Sequence, residues 1–242
     1  MSSYERTQEA PELTRSLLAN GEIELLGLMP NASNYTFLAR CSSGEEEALA
    51  IYKPGAGEAP LWDFPEGTLH LREVAAWEVA DALGWPSVPD TVLRDGPHGP
   101  GSMQRFIDFD PEQHYFTLRE HRVEDFRPIA LFDALINNAD RKGGHCLVDG
   151  ADTIWLIDHG VCFNIEPKLR TVVWDFAGEP IDETALQDLQ RLADDRSGLR
   201  ARLEGLLAEV ELAALEQRLD TLISHGRLPE PGIERHYPWP PL

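Results

Sequence analysis

The feature that most constrains this chain is a change of hydrophobic period along its length. EIELLGL (22–28), YTFLARC (35–41) and EALAIYK (47–53) are short, partly alternating runs rich in apolar and aromatic residues. TVLRD (91–95) and SMQRFI (102–107) repeat the pattern on either side of GPHGPG. A period of two with turn residues between the runs predicts β-strands. From residue 124 the period lengthens. EDFRPIALFDALINNA (124–139) has apolar residues at 129, 132, 135 and 136, and residues 182–225 carry leucine at helical spacing with a break near Asp195–Gly198. Strands gathered in one part and helices in another predict an α+β architecture, with a small antiparallel sheet lobe and a mostly helical lobe.

The remaining segments fit around that division. PELTRSLLAN (11–20) reads as a short helix ended by Gly21, and HLREVAAWEVADALG (70–84) as a longer one ended by Gly84 and Pro86. Residues 54–69 hold Gly and Pro throughout and predict a loop. HCLVD (145–149) and TIWLID (153–158) predict a hairpin. The tail, 229–242, has five prolines and is not helical. The expected organisation is an N-terminal extension (1–21), a sheet lobe (22–107), a helical lobe (108–228) and a Pro-rich tail (229–242).

Charge narrows the function classes. The 242 residues include 21 Lys+Arg and 42 Asp+Glu, a net charge of −21. A field of that sign opposes nucleic acid and anionic membranes as partners held by bulk electrostatics. Cys41, Cys146 and Cys162 are an odd, sparse set and not a disulfide framework. No apolar run reaches the roughly 18 residues of a membrane span, and the N-terminus has no signal-peptide pattern. These readings predict a reduced, cytoplasmic chain with no integral membrane contact. They leave its oligomeric state open.

Two places could carry chemistry. Lys53 ends the third strand and Glu73 lies near the start of the following helix. A strand lysine fixed by a helix glutamate can present its ammonium to a di- or triphosphate; taken singly, the two are also an ordinary surface lysine and a solvated helix face. The second place is NNADRKGGH (137–145) followed by LIDHG (156–160). Asp140 enters the hairpin and Asp158 leaves it, so a hairpin that closes its ends can aim both carboxylates at one spot. One could orient or deprotonate an attacking hydroxyl while the other holds a divalent metal on phosphates. Alternatively, each aspartate caps a turn. Gly143, Gly144 and Gly160 would permit the tight turns. A rival arrangement pairs His159 with Cys162 as half of a zinc site, with His145 and Cys146 nearby.

The order of these parts resembles the protein-kinase-like superfamily, and within it the phosphatidylinositol 3-/4-kinase branch. It is most like type II phosphatidylinositol 4-kinases and a small actinobacterial family related to them. IYKPGAGE (51–58), REVAAWEVADALGWPSVPDTVL (72–93), NNADRKGGHCLV (137–148) and LIDHGVCF (156–163) carry the resemblance, which covers about residues 22–165. It implies a two-lobe, kinase-like fold that binds ATP with Mg²⁺ or Mn²⁺. Lys53 would contact phosphates and Glu73 would pair with it. Asp140, with Arg141 beside it, would be the catalytic-loop aspartate, and Asp158 the main metal ligand. Met29–Tyr35, through Ser33 and Asn34, would cover the phosphates. The stretch Gln104–Asp108, including Phe106 and Ile107, would be the hinge where adenine meets backbone.

The sequence departs from the family pattern in three places. MPNASNY (29–35) has no glycine, and His145 stands where the family has a metal-binding asparagine. Only residues 164–181, with Lys168, Arg170, Val172, Val173 and Trp174 as a small basic-apolar patch, could serve as a substrate-docking loop. The expected function is phosphoryl transfer from ATP to an unidentified acceptor hydroxyl on a lipid, protein or small molecule. The alternatives are a pseudokinase that binds nucleotide and regulates a partner without turnover, or a kinase-shaped interaction protein.

Overall fold

The computed structural model describes residues 11–30, 34–233 and 235–242. They form two compact units. The first runs to Ala59 and includes Asp90–Phe106; the second takes Pro60–Pro89 and Ile107–Leu242.

The first unit is a five-stranded antiparallel sheet with one helix. Its strands are β1 (Glu22–Leu28), β2 (Phe37–Ser43), β3 (Glu46–Pro54), β4 (Thr91–Gly96) and β5 (Gly99–Arg105), in the order β1-β2-β3-β5-β4. Alternation sets the register: Ala48, Ala50 and Tyr52 of β3 are buried on one face with Ala39 and Cys41 of β2 and Met103 of β5. Helix α1 (Pro11–Asn20) adds Leu17 and Leu18 to this core. The Arg94 guanidinium of β4 donates to the carbonyls of Leu18 (2.8 Å) and Gly21 (3.0 Å), which satisfies acceptors that a helix end leaves open. Lys53 sits half-buried on β3 opposite Ser102.

The second unit is mostly helical: α2 (Leu69–Leu83), α3 (Tyr115–Arg122), α4 (Arg127–Ile136), α5 (Glu183–Asp194), α6 (Arg196–Leu203) and α7 (Glu209–His225), with the hairpin β6 (Cys146–Val148) and β7 (Ile154–Leu156). Every residue of α4 from Ile129 to Ile136 is buried, so this helix is enclosed on all sides. Leu189, Leu192, Leu199, Leu203, Leu212, Leu215, Leu219 and Leu222 of α5–α7 pack with it in one core. The break predicted near Asp195 is a helix cap: the Asp195 carboxylate accepts from the Gly198 N–H at 3.0 Å.

Helix α2 differs from its sequence reading. It was expected beside the sheet, yet it belongs to the second unit, where its charged Arg72 and Glu73 are buried along with its apolar residues. No helix among the described residues is long and apolar enough to cross a membrane.

Cys41, Cys146 and Cys162 are all buried thiols. Burial pushes each one up, Cys146 to about 12. The thiolate is the nucleophile, so at pH 8 only a trace of each is reactive. A chromogenic disulfide reagent is expected to leave the native chain unlabelled over minutes and to titrate three thiols after unfolding in guanidinium. Fast labelling of one thiol in the native chain would show that its core opens readily.

Candidate active site

Helix α4 ends at Asn137, whose left-handed backbone (φ 54°) closes the helix. Its side chain then ties down the segment that follows the Asp158 turn: Nδ2 donates to the carbonyls of Asn164 (2.9 Å) and Glu166 (2.7 Å), and Oδ1 accepts from the Lys168 N–H (2.8 Å). The fully buried Asn138 turns back, with Nδ2 on Asp133 (2.9 Å) and Oδ1 accepting the Asp140 N–H (3.0 Å). The Asp140 carboxylate is half-buried, and Lys142 Nζ lies 3.3 Å from its Oδ2.

The hairpin returns the chain to the same place. After β7, Asp158 adopts a left-handed conformation (φ 62°), which a short polar side chain tolerates. The sharp turn is thus made by Asp158 itself. Gly160 has no positive φ and instead packs against Leu69 and Glu73. The Asp158 carboxylate is 51 % exposed, with His145 Nε2 3.3 Å from Oδ2. Burial raises the Asp140 pKa above the ordinary carboxylate value, Lys142 lowers it, and the negative charge of Asp158 raises it further. The structure therefore brings Asp140, Lys142, His145 and Asp158 into one electrostatic neighbourhood, as the hairpin argument expected for the two carboxylates.

Three expected roles are corrected. Arg141 is fully buried, so it does not reach a substrate. Its Nε and Nη2 grip Asp133 (3.0–3.1 Å), Nη1 donates to the Ile157 carbonyl (2.9 Å) and Nη2 lies 2.8 Å from His159 Nε2. Burial lowers the pKa of this guanidinium; the Asp133 carboxylate outweighs burial and holds the group above its ordinary value. His145 pairs with the carboxylate instead of standing beside it as a second ligand: its Nε2 lies 3.3 Å from Asp158 Oδ2, and its Nδ1 accepts the Lys142 N–H at 3.4 Å. The Phe106 N–H donates to the Leu49 carbonyl (2.9 Å) rather than being available to adenine, and the Gln104 side chain donates to Thr91 (2.9 Å). Ile107 is buried at the start of the second unit.

Asn34 Oδ1 accepts the Ala59 N–H at 2.8 Å, anchoring its loop to the 55–59 segment. Ser33 lies outside the described residues. Glu73 is buried, and its Oε2 accepts the His159 N–H at 3.0 Å, so it holds the turn that carries Asp158. Beside it on α2, Arg72 donates to the Cys162 carbonyl (2.8 Å) and pairs with Glu211. The basic-apolar patch expected at 168–174 is not a surface: Val172 and Val173 are buried, Lys168 pairs with Asp63 (3.2 Å) and the Trp174 indole donates to the His236 carbonyl (3.1 Å).

Sequence reasoning missed Asp133, Lys142 and the tail. A lone aspartate inside the apolar run of α4 was the visible signal for Asp133. The tail lies on the loop after Asp140: the Pro241 carbonyl accepts the Gly143 N–H (2.8 Å), and the His236 carbonyl accepts the Thr171 N–H (3.2 Å). Gly143 is needed for space, since a β-carbon there would sit 2.7 Å from the Phe116 ring.

Asp158 suits a hard cation held by one or two carboxylates and completed by substrate phosphates, which is the usual Mg²⁺ arrangement. Among the described residues no three His, Cys, Asp or Glu side chains gather as a metal group. The zinc half-site therefore fails: His159 Nε2 faces Arg141, and Cys162 is a buried thiol.

No protein-family model matches the chain. It is 40 % identical to protein Rv2133c of Mycobacterium tuberculosis over 263 aligned positions, which cover 93 % of this chain and 94 % of that protein. It is 30 % identical to phosphatidylinositol 4-kinase gamma 4 of rice, over 66 % of this chain and 34 % of the plant protein. It is 26 % identical to phosphatidylinositol 4-kinase gamma 8 of Arabidopsis thaliana, over 79 % and 46 % respectively. The chain thus spans between a third and a half of the plant kinases. Its fold is similar to the crystal structure of the Helicobacter pylori proinflammatory kinase CtkA, with a TM-score of 0.56 and 14 % identity over 87 % of this chain and 94 % of that one. The architecture, an antiparallel sheet unit followed by a mostly helical unit, is a kinase-like α+β fold. With an identity of 40 % along nearly its whole length, the chain belongs to the family of protein Rv2133c.

Proposed function

We propose that this protein is an ATP- and divalent-cation-dependent phosphotransferase of the phosphatidylinositol 3-/4-kinase type, moving the terminal phosphoryl group to an acceptor hydroxyl. The observation that carries this reading is the convergence of Asp140, Lys142 and Asp158, with the Asp140 pKa raised and Asp158 half-exposed on a left-handed turn. In phosphoryl transfer the protein chiefly positions groups and neutralises charge. Asp140 orients the acceptor hydroxyl and takes its proton. The Lys142 ammonium beside it balances charge that builds on the transferred group. A divalent cation held by Asp158 and the nucleotide phosphates supplies further neutralisation. His145 keeps Asp158 oriented. Lys53 is assigned to the nucleotide phosphates by the family resemblance. Phosphatidylinositol is the first acceptor to try, because two relatives are named as kinases of it; protein and small-molecule hydroxyls are the controls.

A second reading, a nucleotide-binding protein without turnover, is favoured by one observation: among the described residues no three His, Cys, Asp or Glu side chains gather into a cation site. Calorimetric titration of ATP separates the readings, run with Mg²⁺, with Mn²⁺ and with chelator. The phosphotransferase reading expects binding that needs a cation, similar affinities with the two metals, and loss of about tenfold or more in Lys53→Ala. A marked preference for Mn²⁺ would restore His145 as a ligand. Binding with no ADP formation on any acceptor leaves the second reading. No binding under any condition removes both and leaves an interaction protein.

A further inference from the structure

The side chains beneath the two loops form one connected path. Asp133 is fully buried on α4, the most enclosed helix of the second unit. Its carboxylate works in two directions. Toward the catalytic loop, Oδ1 accepts from Asn138 Nδ2 (2.9 Å), and the same Asn138 side chain caps the Asp140 N–H. Toward the metal turn, it grips the Arg141 guanidinium, which reaches the Ile157 carbonyl with one nitrogen and His159 Nε2 with another. Those two contacts fall on the residues immediately before and after Asp158. Arginine has only donors, so His159 Nε2 is the acceptor of this contact. Thr171 Oγ1 also donates to Asp133, at 3.3 Å.

We propose that Asp133 and His159 are positioning residues that hold Asp140 and Asp158 in one register, with the Arg141 guanidinium as the clamp they share. A buried ion pair adds little net stability over an apolar pair of the same volume. What it adds is geometry: a planar fork fixes the direction of each partner. Here the fork spans the loop that carries one carboxylate and the turn that carries the other. Glu73 closes the path from α2 through the His159 N–H. A shift of either loop by about 1 Å separates the two acids from their productive spacing, which is enough to lower turnover by about 100-fold.

The activity arm of the test rests on the phosphotransfer reading; the structural arm does not. Amide hydrogen exchange is measured on the nucleotide-free chain in Asp133→Asn, His159→Leu and His159→Gln. Glutamine keeps an acceptor near the Nε2 position, and leucine removes it. Asp133→Asn and His159→Leu are expected to speed exchange at both the Asp140 and the His159 amides by about tenfold, with the amides of α5–α7 unchanged. His159→Gln is expected to stay near the parent rate at both. In turnover assays the first two variants are expected to lose about 100-fold in kcat with the KM for ATP within about threefold, and His159→Gln to retain most of it. Faster exchange confined to one of the two loops overturns the shared clamp, and so does a His159→Gln variant that behaves like His159→Leu. If Asp133→Asn does not fold, the two His159 variants decide the matter alone. If the parent chain shows no turnover, the function reading has failed and the exchange result still stands for or against the clamp.

Discussion

Asp140→Asn is expected to reduce phosphoryl transfer by about 10²–10⁴-fold while leaving ATP affinity within about threefold. The asparagine keeps the size of the side chain and the Asn138 cap on its N–H. On the phosphotransferase proposal, it removes the base that takes the acceptor proton. The pH profile follows from the same group. Burial and the Asp158 charge raise the Asp140 pKa, so the acid limb of turnover should fall above the ordinary aspartate range. The stability sign runs the other way. A carboxyl whose folded pKa is raised contributes stability that is full below its unfolded pKa and is lost as pH rises through the folded value. At neutral pH the ionised Asp140 therefore strains the fold, and Asp140→Asn should melt at the parent temperature or slightly above it. Active residues often show this opposition between stability and activity. The checks are ADP formation against pH and a thermal melt at pH 7. Parent-level turnover in Asp140→Asn would remove the residue from the reaction.

The sequence made the skeleton of this molecule legible because periodicity reports burial directly. Strands 22–28 and 91–95 appear within a residue of their reading, and the α2 helix spans Leu69–Leu83 against an expected 70–84. The hairpin that carries Asp140 and Asp158 was legible for the same reason: two short apolar runs with a Gly turn pair locally. Identity of charge was legible too, but direction was not. Arg141 and His145 lie in the expected segment, yet one points into the core and the other into the Asp158 carboxylate. Side-chain direction in an irregular loop depends on contacts with residues far along the chain, such as Ile157 and His159 for Arg141.

Glycine was a partial signal. Gly143, Gly144 and Gly160 suggested tight turns, and Gly143–His145 is a turn of 3-10 helix, but none of the three has a positive φ; Asp158 and Phe163 carry that conformation instead. Gly143 exists because Phe116 and the tail lie against it, a tertiary fact with no local signature. The tail itself was read as non-helical from its prolines. Its backbone carbonyls accept from Gly143 and from the 171–174 segment of the same unit.

Replacing Arg141 with alanine carries the largest expected effect on stability. The change leaves the Asp133 carboxylate buried with its main partner gone, and orphans the Ile157 carbonyl. Removing one member of a buried ion pair typically costs about 3–5 kcal/mol, most of it from the charge left behind. Urea unfolding of the second unit should show a loss of that size, a large share of the roughly 5–15 kcal/mol that holds a typical domain together. The double variant Asp133→Leu/Arg141→Met separates the charge from the geometry. Removing both charges and filling the space should return the midpoint to within about 1–2 kcal/mol of the parent. Turnover should stay lost, because a flexible thioether has no donors with which to hold Ile157 and His159 on either side of Asp158. Recovery of both stability and turnover would mean that Arg141 only fills space. Recovery of stability alone means that the buried pair is kept for where it puts the two carboxylates, which is the more demanding task for a core side chain.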